Sequence, residues 1–299
     1  MRVLITGAQG QVGQELMRLA PAEFEVCGLG SASLDITSAD QVLSAVTQFQ
    51  PALIINAAAY TAVDKAESDI ERAWAVNHVG VANLATAAEG LSIPVFHIST
   101  DYVFAGDTST PYRESDATNP GGVYGASKLA GEEALASACS QYLVLRTSWV
   151  FGVHGSNFVK TMLRLGGERD SLSIVADQQG GPTSAASIAT ALWQLADIYQ
   201  ARQQLPWGVY HFSGTPHCTW FDFAEEICHQ AESLGLLQQS PQLSPISTAD
   251  YPTPAHRPAW SVMNCTKLFV NLGIHSPNWK EDLRLVLTEL QQNTVQAAD

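Results

Sequence analysis

Short apolar runs alternate with stretches of helical periodicity along the first half of the chain. The apolar runs are rich in Val, Ile and Leu, and they lie at residues 3–5, 25–29, 52–56, 94–98 and 142–151. Between them, apolar residues recur at the spacing that places them on one face of a helix. Strands that alternate with helices in this way are typical of an α/β fold with a parallel sheet. The pattern therefore predicts a Rossmann-like, doubly wound sheet.

The second half of the chain contains more loop than the first. The sequence predicts a dinucleotide-binding domain over residues 1–150 and a smaller, mainly substrate-binding region over residues 151–299. A helix and a strand within residues 184–214 are candidates to rejoin the sheet of the first domain. Residues 241–258 are rich in proline and lack periodicity, so we expect a long loop there. The C-terminal region would then cover the carboxyl ends of the strands, where such folds bind ligands.

Charge and composition exclude several classes of protein. The formal net charge is −14, which disfavours binding to nucleic acid or to an anionic membrane. No apolar run approaches the roughly 18–20 residues that a membrane-spanning helix needs. The five cysteines form no CxxC pair and the eight histidines form no cluster, so neither a disulfide framework nor a metal site is expected. We therefore expect a cytoplasmic protein with free thiols.

A glycine-rich turn follows the first apolar run. Gly7, Gly10 and Gly13 lie between that run and a helical pattern that includes Val12. Glycines allow the backbone to approach a pyrophosphate closely, and the N-terminus of the following helix offers free N–H groups. The spacing is GxxGxxG rather than GxGxxG, and a glycine turn without a ligand is the alternative. Because the turn stands between a strand and a helix, we interpret it as a nucleotide-binding turn.

The end of the second strand bears on the choice of cofactor. Enzymes that use NAD often place Asp or Glu there, where it accepts a hydrogen bond from the ribose 2′-hydroxyl. This chain has Gly30 at that point and no arginine beside it for a 2′-phosphate, so both NADPH and NADH are permitted. Asp35 follows, either as a turn residue or as a contact to the adenine. Small residues at 57–59 leave room for a flat ligand or for tight helix packing.

A hydroxyl, a phenol and an amine lie close together in the middle of the chain. Thr100 ends the fourth strand, and Tyr124 and Lys128 stand four residues apart on one face of a predicted helix. Such a set can deliver a proton to a carbonyl oxygen that is being reduced, with Tyr124 as the general acid. An ammonium about 4 Å from the phenol would favour the tyrosinate by roughly 4 kcal/mol at an effective dielectric constant near 20. The alternative is an exposed tyrosine beside a solvated lysine.

Seven segments, in chain order, resemble one family of enzymes. They are GAQGQVGQEL, INAAAYTAVDKAE, HISTDYVFAG, YGASKLAGE, LRTSWVFG, NFVKTML and YPTPAHRP. Together they resemble the extended short-chain dehydrogenase/reductases and, within these, the dTDP-4-dehydrorhamnose reductase family, from residue 1 to about residue 290. The resemblance implies reduction of dTDP-4-dehydro-L-rhamnose to dTDP-L-rhamnose for cell-surface polysaccharide synthesis, with NADPH or NADH as the reductant.

The same resemblance implies roles for individual residues. It assigns catalysis to Thr100, Tyr124 and Lys128. The implied cofactor contacts surround the glycine turn and the ends of the next two strands, and they are Gly7, Gly10, Gln11, Val12, Gly13, Asp35, Ile36, Ala58, Ala59, Tyr60, Tyr124 and Lys128.

Substrate contacts are implied at the C-terminal ends of the fourth and fifth strands. They are Thr100, Asp101, Tyr124 and Trp149, of which the indole could pack on the sugar or the base. Arg257 is a candidate for the substrate diphosphate because a guanidinium presents a fork of donors. An arginine that only anchors its own loop is the alternative.

The resemblance leaves the assembly state and two other functions open. Some members of the family dimerise through Mg²⁺ held by glutamates, and Glu15 matches one such position, but residues 184–187 lack an acid. We therefore expect a monomer or homodimer, and the sequence disfavours a dimer that is linked by Mg²⁺ without excluding the ion. The other functions are an epimerase or a further 4-ketoreductase of nucleotide sugars with the same fold, and a non-catalytic NADP-binding regulatory subunit. An intact set of Thr100, Tyr124 and Lys128 disfavours the regulator.

Overall fold

The computed structural model describes residues 1–296. Within them the strands are β1 (Arg2–Thr6), β2 (Glu25–Leu29), β3 (Leu53–Asn56), β4 (Val95–Thr100), β5 (Tyr142–Thr147), β6 (Val150–Phe151), β7 (Ser171–Val175), β8 (Gln179–Gly180), β9 (Thr183–Ser184), β10 (Gly208–His211), β11 (Cys218–Thr219) and β12 (Gln242–Ile246). The helices are α1 (Gln11–Arg18), α2 (Ala39–Phe49), α3 (Val63–Ala66), α4 (Ile70–Trp74), α5 (Gly80–Leu91), α6 (Val123–Ala138), α7 (Phe158–Glu168), α8 (Ala185–Arg202), α9 (Trp220–Ser233), α10 (Thr266–Leu272) and α11 (Trp279–Gln296). Residues 297–299, at the end of the predicted substrate-binding region, lie outside the described residues.

Six parallel strands form the central sheet in the order β10-β5-β4-β3-β1-β2. One apolar cluster joins α1 and α8 to one face of this sheet, and another joins α2, α5 and α6 to the opposite face. The chain runs from β1 outward to β2 and then from β3 outward to β5 on the other side. The crevice between β1 and β3 is therefore the point where strand order reverses, which is where open α/β sheets bind ligands. The predicted doubly wound α/β fold is confirmed.

The second half of the chain contributes to two bodies of structure. Helix α8 packs against α1, and β10 pairs with β5 at the edge of the central sheet. Helix α10 also packs against this part of the sheet. Helices α7, α9 and α11 pack around a separate apolar cluster that includes Phe223 and Trp279. The division of the chain at residue 150 stays a prediction, but residues 185–211 add a helix and a strand to the central sheet.

Two segments differ from the sequence prediction. The single strand expected over 142–151 is wrong, because Trp149 adopts a positive φ of 47° and separates β5 from β6. The loop expected over 241–258 is partly wrong, because β12 pairs in parallel with β7 along five residues. β6 pairs with β9 and β12 pairs with β7, and pairing between distant segments is not encoded in local periodicity.

Candidate active site

The turn after β1 forms a cradle of backbone atoms. Gly7 has a φ of 72°, in the left-handed region that favours glycine, and a Cβ there would lie 2.5 Å from the backbone nitrogen of Ala58. A Cβ on Gly13 would overlap the carbonyl oxygen of Gly7. Gly10 precedes α1 and offers no side chain to cap it, so the first N–H groups of α1 face the turn without a side-chain partner. The cradle fits a pyrophosphate held by the helix N-terminus.

Gln11 and Val12 open α1, and their side chains are engaged elsewhere. The Oε1 atom of Gln11 accepts a hydrogen bond of 2.9 Å from Nδ2 of Asn157, the residue that caps α7. Val12 packs against the apolar cluster beneath α1. The parts of these residues that can meet a phosphate are therefore their backbone N–H groups.

The segment after β3 is fixed by two buried asparagines. Ala58 donates its backbone N–H to Asn56 Oδ1 at 3.0 Å. Tyr60 donates its N–H to Asn77 Oδ1 at 2.8 Å, and Asn77 Nδ2 contacts both the Tyr60 carbonyl and Ser127 Oγ on α6. Asn77 is fully buried in a π-helical turn, Ala75–Val79, between α4 and α5. Ala58 to Tyr60 are thereby held against α6, as a wall for a ligand in the crevice requires.

In the segment after β2, Asp35 is exposed to solvent whereas Ile36 is buried. Asp35 is exposed, and its Oδ1 accepts hydrogen bonds from the backbone N–H and the hydroxyl of Thr37 at 3.0 and 2.8 Å. Ile36 is buried in the core beside α5, and its carbonyl accepts from Asn83 at 2.9 Å. Asp35 therefore serves as the turn residue that the sequence left open. Its predicted contact to adenine, with that of Ile36, stays a prediction.

Thr100 and Tyr124 meet where β4 ends and α6 begins. Thr100 is buried, and its Oγ1 donates to Asp101 Oδ1 at 3.1 Å and accepts from the Tyr102 N–H at 3.2 Å. Burial raises the pKa of Tyr124 to about 12, hydrogen bonding with Thr100 opposes the rise, and the Asp101 charge adds to it. The Tyr102 ring lies edge-on to Tyr124 at 5.5 Å between centroids. The structure thus brings the predicted hydroxyl and phenol together.

The amine of Lys128 is engaged with β4. Its side chain is 2% exposed, its Nζ donates to the Ile98 carbonyl at 2.7 Å, and the same atom lies 3.2 Å from Nε2 of His97. Burial lowers the pKa of Lys128 to about 8, although Glu132 raises it. The expectation that the ammonium lowers the pKa of Tyr124 is therefore wrong here: the pKa of Tyr124 is raised by burial, and the amine is engaged with β4.

Asp101 is a buried acid directly beside Thr100. It is 2% exposed, and burial raises its pKa to about 6 against the opposing hydrogen bonds of Ser261 and Thr100. Ser261 comes from the C-terminal half, where its N–H donates to the Gln179 carbonyl at 2.8 Å. Sequence reasoning missed Ser261, and the one signal for it is that it stands three residues after the YPTPAHRP segment. Its presence ties the smaller body of structure to the end of β4.

Trp149 belongs to a stacked pair. Its indole stacks on that of Trp220, with centroids 3.6 Å apart and planes 9° from parallel. Gly180 lies on it too, because a Cβ there would come within 2.5 Å of the Trp149 ring. Both indoles are half-buried, so the pair presents an aromatic edge at the junction of the two bodies. Trp220 was not predicted, since nothing in the local sequence relates α9 to residue 149.

Arg257 is held by an acid on α3. Its Nη2 lies 2.8 Å from Asp64 Oδ2, and the side chain is 30% exposed. The other carboxylate oxygen of Asp64 accepts the Ala255 N–H at 3.3 Å. These contacts match the loop-anchoring alternative, and the role of Arg257 at a diphosphate stays a prediction.

Comparison with known proteins gives the family. Residues 1–292 match the family described as RmlD substrate binding domain. The chain belongs to this family. It is 46% identical over 285 residues to a dTDP-4-dehydrorhamnose reductase of Aggregatibacter actinomycetemcomitans, a match that covers 95% of this chain and 97% of that protein.

Two solved structures of such reductases resemble the chain over nearly its full length. The one from Clostridium acetobutylicum has a TM-score of 0.90 and 37% identity, covering 97% of this chain and 100% of that one. The one from Bacillus anthracis, solved in complex with NADP, has a TM-score of 0.88 and 39% identity, covering 96% and 99%. The family resemblance predicted from the sequence segments is confirmed.

Neither a metal centre nor a membrane span appears in the described part of the chain. Across residues 1–296, no group of three or more His, Cys, Asp or Glu side chains is arranged to hold a metal ion. None of the helices over the same range is long and apolar enough to cross a bilayer.

Proposed function

We propose that the protein reduces dTDP-4-dehydro-L-rhamnose to dTDP-L-rhamnose, with NADPH or NADH as the reductant. The observation that carries this proposal is the meeting of Thr100 and Tyr124 at the carboxyl end of β4, in the same parallel sheet whose β1 leads into the glycine cradle. It stands in a chain that is 46% identical to a protein named for this reaction. The bound reduced nicotinamide supplies the hydride.

Proton delivery to the substrate oxygen is the task of the chain itself. Thr100 would donate its hydroxyl hydrogen to the carbonyl oxygen, instead of to Asp101 Oδ1, as negative charge develops on the substrate. Tyr124, whose pKa is raised to about 12, stays protonated near neutral pH and can serve as the general acid. A phenol next to Thr100 is thus in the protonation state that reduction requires.

Cofactor binding is assigned to the edge of the sheet around β1. The cradle of Gly7, Gly10 and Gly13 with the N-terminus of α1 would hold the pyrophosphate, and the wall of residues 58–60 would border the nicotinamide ribose. Lys128 would bind the hydroxyls of that ribose. Asp35 and Ile36 would line the adenine.

Substrate binding is assigned mainly to the smaller body of structure. Asp101 and the Trp149 indole would contact the sugar or the base, and Arg257 would reach the diphosphate after leaving Asp64. We place the protein in the cytoplasm as a monomer or homodimer that needs no Mg²⁺. The five free cysteines are consistent with a reducing compartment.

The test is an assay with purified protein and the dTDP-linked keto-sugar, offering NADPH and NADH in turn. Cofactor oxidation is followed by the near-ultraviolet absorbance of the reduced nicotinamide. The substitution Tyr124→Phe is expected to lower turnover by about 10²-fold or more, with cofactor affinity nearly unchanged in a fluorescence titration. Tyr199→Phe makes the same chemical change in α8, away from the site, and is expected to keep full turnover.

Three outcomes would contradict the proposal. Wild-type turnover by Tyr124→Phe would remove the phenol as the acid. Cofactor binding without oxidation would favour a regulatory subunit. Conversion of the sugar without net oxidation of the cofactor would favour an epimerase.

A further inference from the structure

Three buried polar side chains form a row across the sheet beneath the cradle. The strand register pairs Thr6 with Asn56 and Asn56 with His97, and all three side chains are buried. Thr6 Oγ1 donates to Asn56 Oδ1 at 2.7 Å, and Asn56 Nδ2 lies 2.9 Å from His97 Nδ1. The row ends at α6, where His97 Nε2 lies 3.2 Å from Lys128 Nζ. A continuous polar chain therefore links the strand below the glycine turn to the lysine.

The backbone fixes which way the Asn56 amide faces. The Ala58 N–H points at Asn56 Oδ1 over 3.0 Å and needs an acceptor there. Turning the amide over would set an NH₂ group against that N–H. The Nδ2 donor must therefore face His97, so Nδ1 of the imidazole accepts the hydrogen bond. A neutral imidazole with an unprotonated Nδ1 carries its proton on Nε2.

The Nε2–H group then points at the amine of Lys128. An ammonium has three donors and no acceptor, so it would set donor against donor across this contact. An uncharged amine has a lone pair that accepts the Nε2–H, and it can still donate to the Ile98 carbonyl at 2.7 Å. The hydrogen bonds are satisfied only by the amine.

We propose that His97 is a positioning residue which, in the Nε2–H tautomer imposed by Asn56, favours the uncharged amine of Lys128 and so lowers the affinity of this amine for a proton. The inference deepens the proposed function, because it concerns the lysine assigned there to the ribose. Its physical basis is that an ammonium buried without an adjacent counter-charge is costly. A bound ligand that offers acceptors in place of the imidazole N–H would favour the ammonium.

Among the other charged groups around Lys128, Glu132 raises the pKa of the lysine, but by less than burial lowers it. Glu132, one turn further along α6, is paired with Arg146 of β5 at 2.6 Å and also accepts from Ser99. Tyr124, one turn earlier on α6, is protonated near neutral pH. Burial lowers the pKa of His97 well below 6.5, which excludes an imidazolium, and lowers the pKa of Lys128 to about 8.

The first test reads both protonation states in the wild-type, cofactor-free protein. Two-bond ¹H–¹⁵N NMR of ¹⁵N-histidine protein reports the tautomer of His97, which His97→Gln assigns. The chain has five lysines, so ¹³Cε-lysine labelling resolves the titration of Lys128, which Lys128→Met assigns. We expect Nε2–H and a titration midpoint near 8 rather than near 10.5. An Nδ1–H tautomer or an ordinary lysine midpoint would overturn the proposal, whatever the protein turns over.

The second test replaces one atom of the Asn56 side chain, so that the donors and acceptors between residue 56, His97 and Lys128 are exchanged. In Asn56→Asp, a carboxylate oxygen replaces the Nδ2 donor and accepts from the ring, so the proton moves to Nδ1 and Nε2 becomes an acceptor for the ammonium. We expect the tautomer to switch and the Lys128 midpoint to rise by roughly one pH unit or more, a tenfold gain in proton affinity. Thr6→Val is the matched control: it keeps the Ala58 contact to Asn56, so neither quantity is expected to change.

The two readouts separate the tautomer from the added charge. A higher Lys128 midpoint in Asn56→Asp with His97 still Nε2–H would show that charge alone acts, and the proposal would be wrong. If Asn56→Asp does not fold, the wild-type tautomer and midpoint decide the question. Neither measurement depends on turnover, so failure here leaves the proposed reaction standing, and failure of the reaction leaves the row intact.

Discussion

Replacing Asp101 with asparagine is expected to make the protein more stable at neutral pH. Asp101 is 2% exposed, and burial raises its pKa from 3.8 to about 6. Because the folded state binds this proton more tightly than the unfolded state does, stability falls as pH rises between those two values and then levels off. The gap corresponds to a penalty of about 3 kcal/mol at pH values above about 7. An asparagine side chain at this position carries no charge and escapes the penalty.

The pH dependence distinguishes this effect from a packing change. At about pH 4.5 the penalty is only about 1 kcal/mol, so the advantage of Asp101→Asn is expected to grow by about 2 kcal/mol between pH 4.5 and pH 7.5. Urea unfolding followed by tryptophan fluorescence measures it at both values. Asp170→Asn makes the same change at an exposed carboxyl and is expected to show little difference. The reasoning is refuted if Asp101→Asn changes stability equally at both pH values, or lowers it more at neutral pH.

Two further substitutions test the buried ion pair of Glu132 with Arg146 and the choice of cofactor. Glu132→Gln leaves Arg146 buried without its counter-charge, and we expect a loss of about 3–5 kcal/mol of unfolding free energy by calorimetry; a loss below about 1 kcal/mol would show that the pair is not coupled. Gly30→Asp adds a carboxylate where a 2′-phosphate would lie, after displacing Gln9, whose Cδ would be 2.6 Å from the new Cβ. We expect NADPH to lose about tenfold more affinity than NADH in fluorescence titrations, and an equal loss for both would contradict this placement.

Local patterns predicted the parts of the fold that depend on local physics. The apolar run at Glu25–Leu29 is β2 with those bounds, and Ser38 caps α2 by accepting from the Gln41 N–H. The glycine turn after β1 was recognisable because a strand, a turn and a helix follow each other directly in sequence. Segments of this kind carry their own signal, since the residues that interact are neighbours in the chain.

Contacts between distant segments could not be predicted in the same way. The stacking of Trp220 on Trp149, the approach of Ser261 to Asp101 and the pairing of β12 with β7 all join residues from separate elements. The spacing of Tyr124 and Lys128 correctly placed both on one helical face, but it did not give the direction of the amine. Lys128 Nζ donates to the carbonyl of Ile98, which lies on β4 beneath the helix. This contact depends on how the helix packs on the sheet, and the local sequence does not specify it.

Two groups of buried hydrogen bonds join β4 to α6 and fix the position of this helix. His97 contacts Lys128, and Ser99 contacts Glu132, which Arg146 of the neighbouring strand also binds. A buried ion pair is weak support for stability in itself, because apolar residues of similar volume often do as well. Hydrogen bonds, however, are directional, and two of them at different heights on one helix oppose both its rotation and its sliding. Since Thr100 ends the same strand, these contacts to α6 also set the distance between the threonine hydroxyl and the tyrosine phenol.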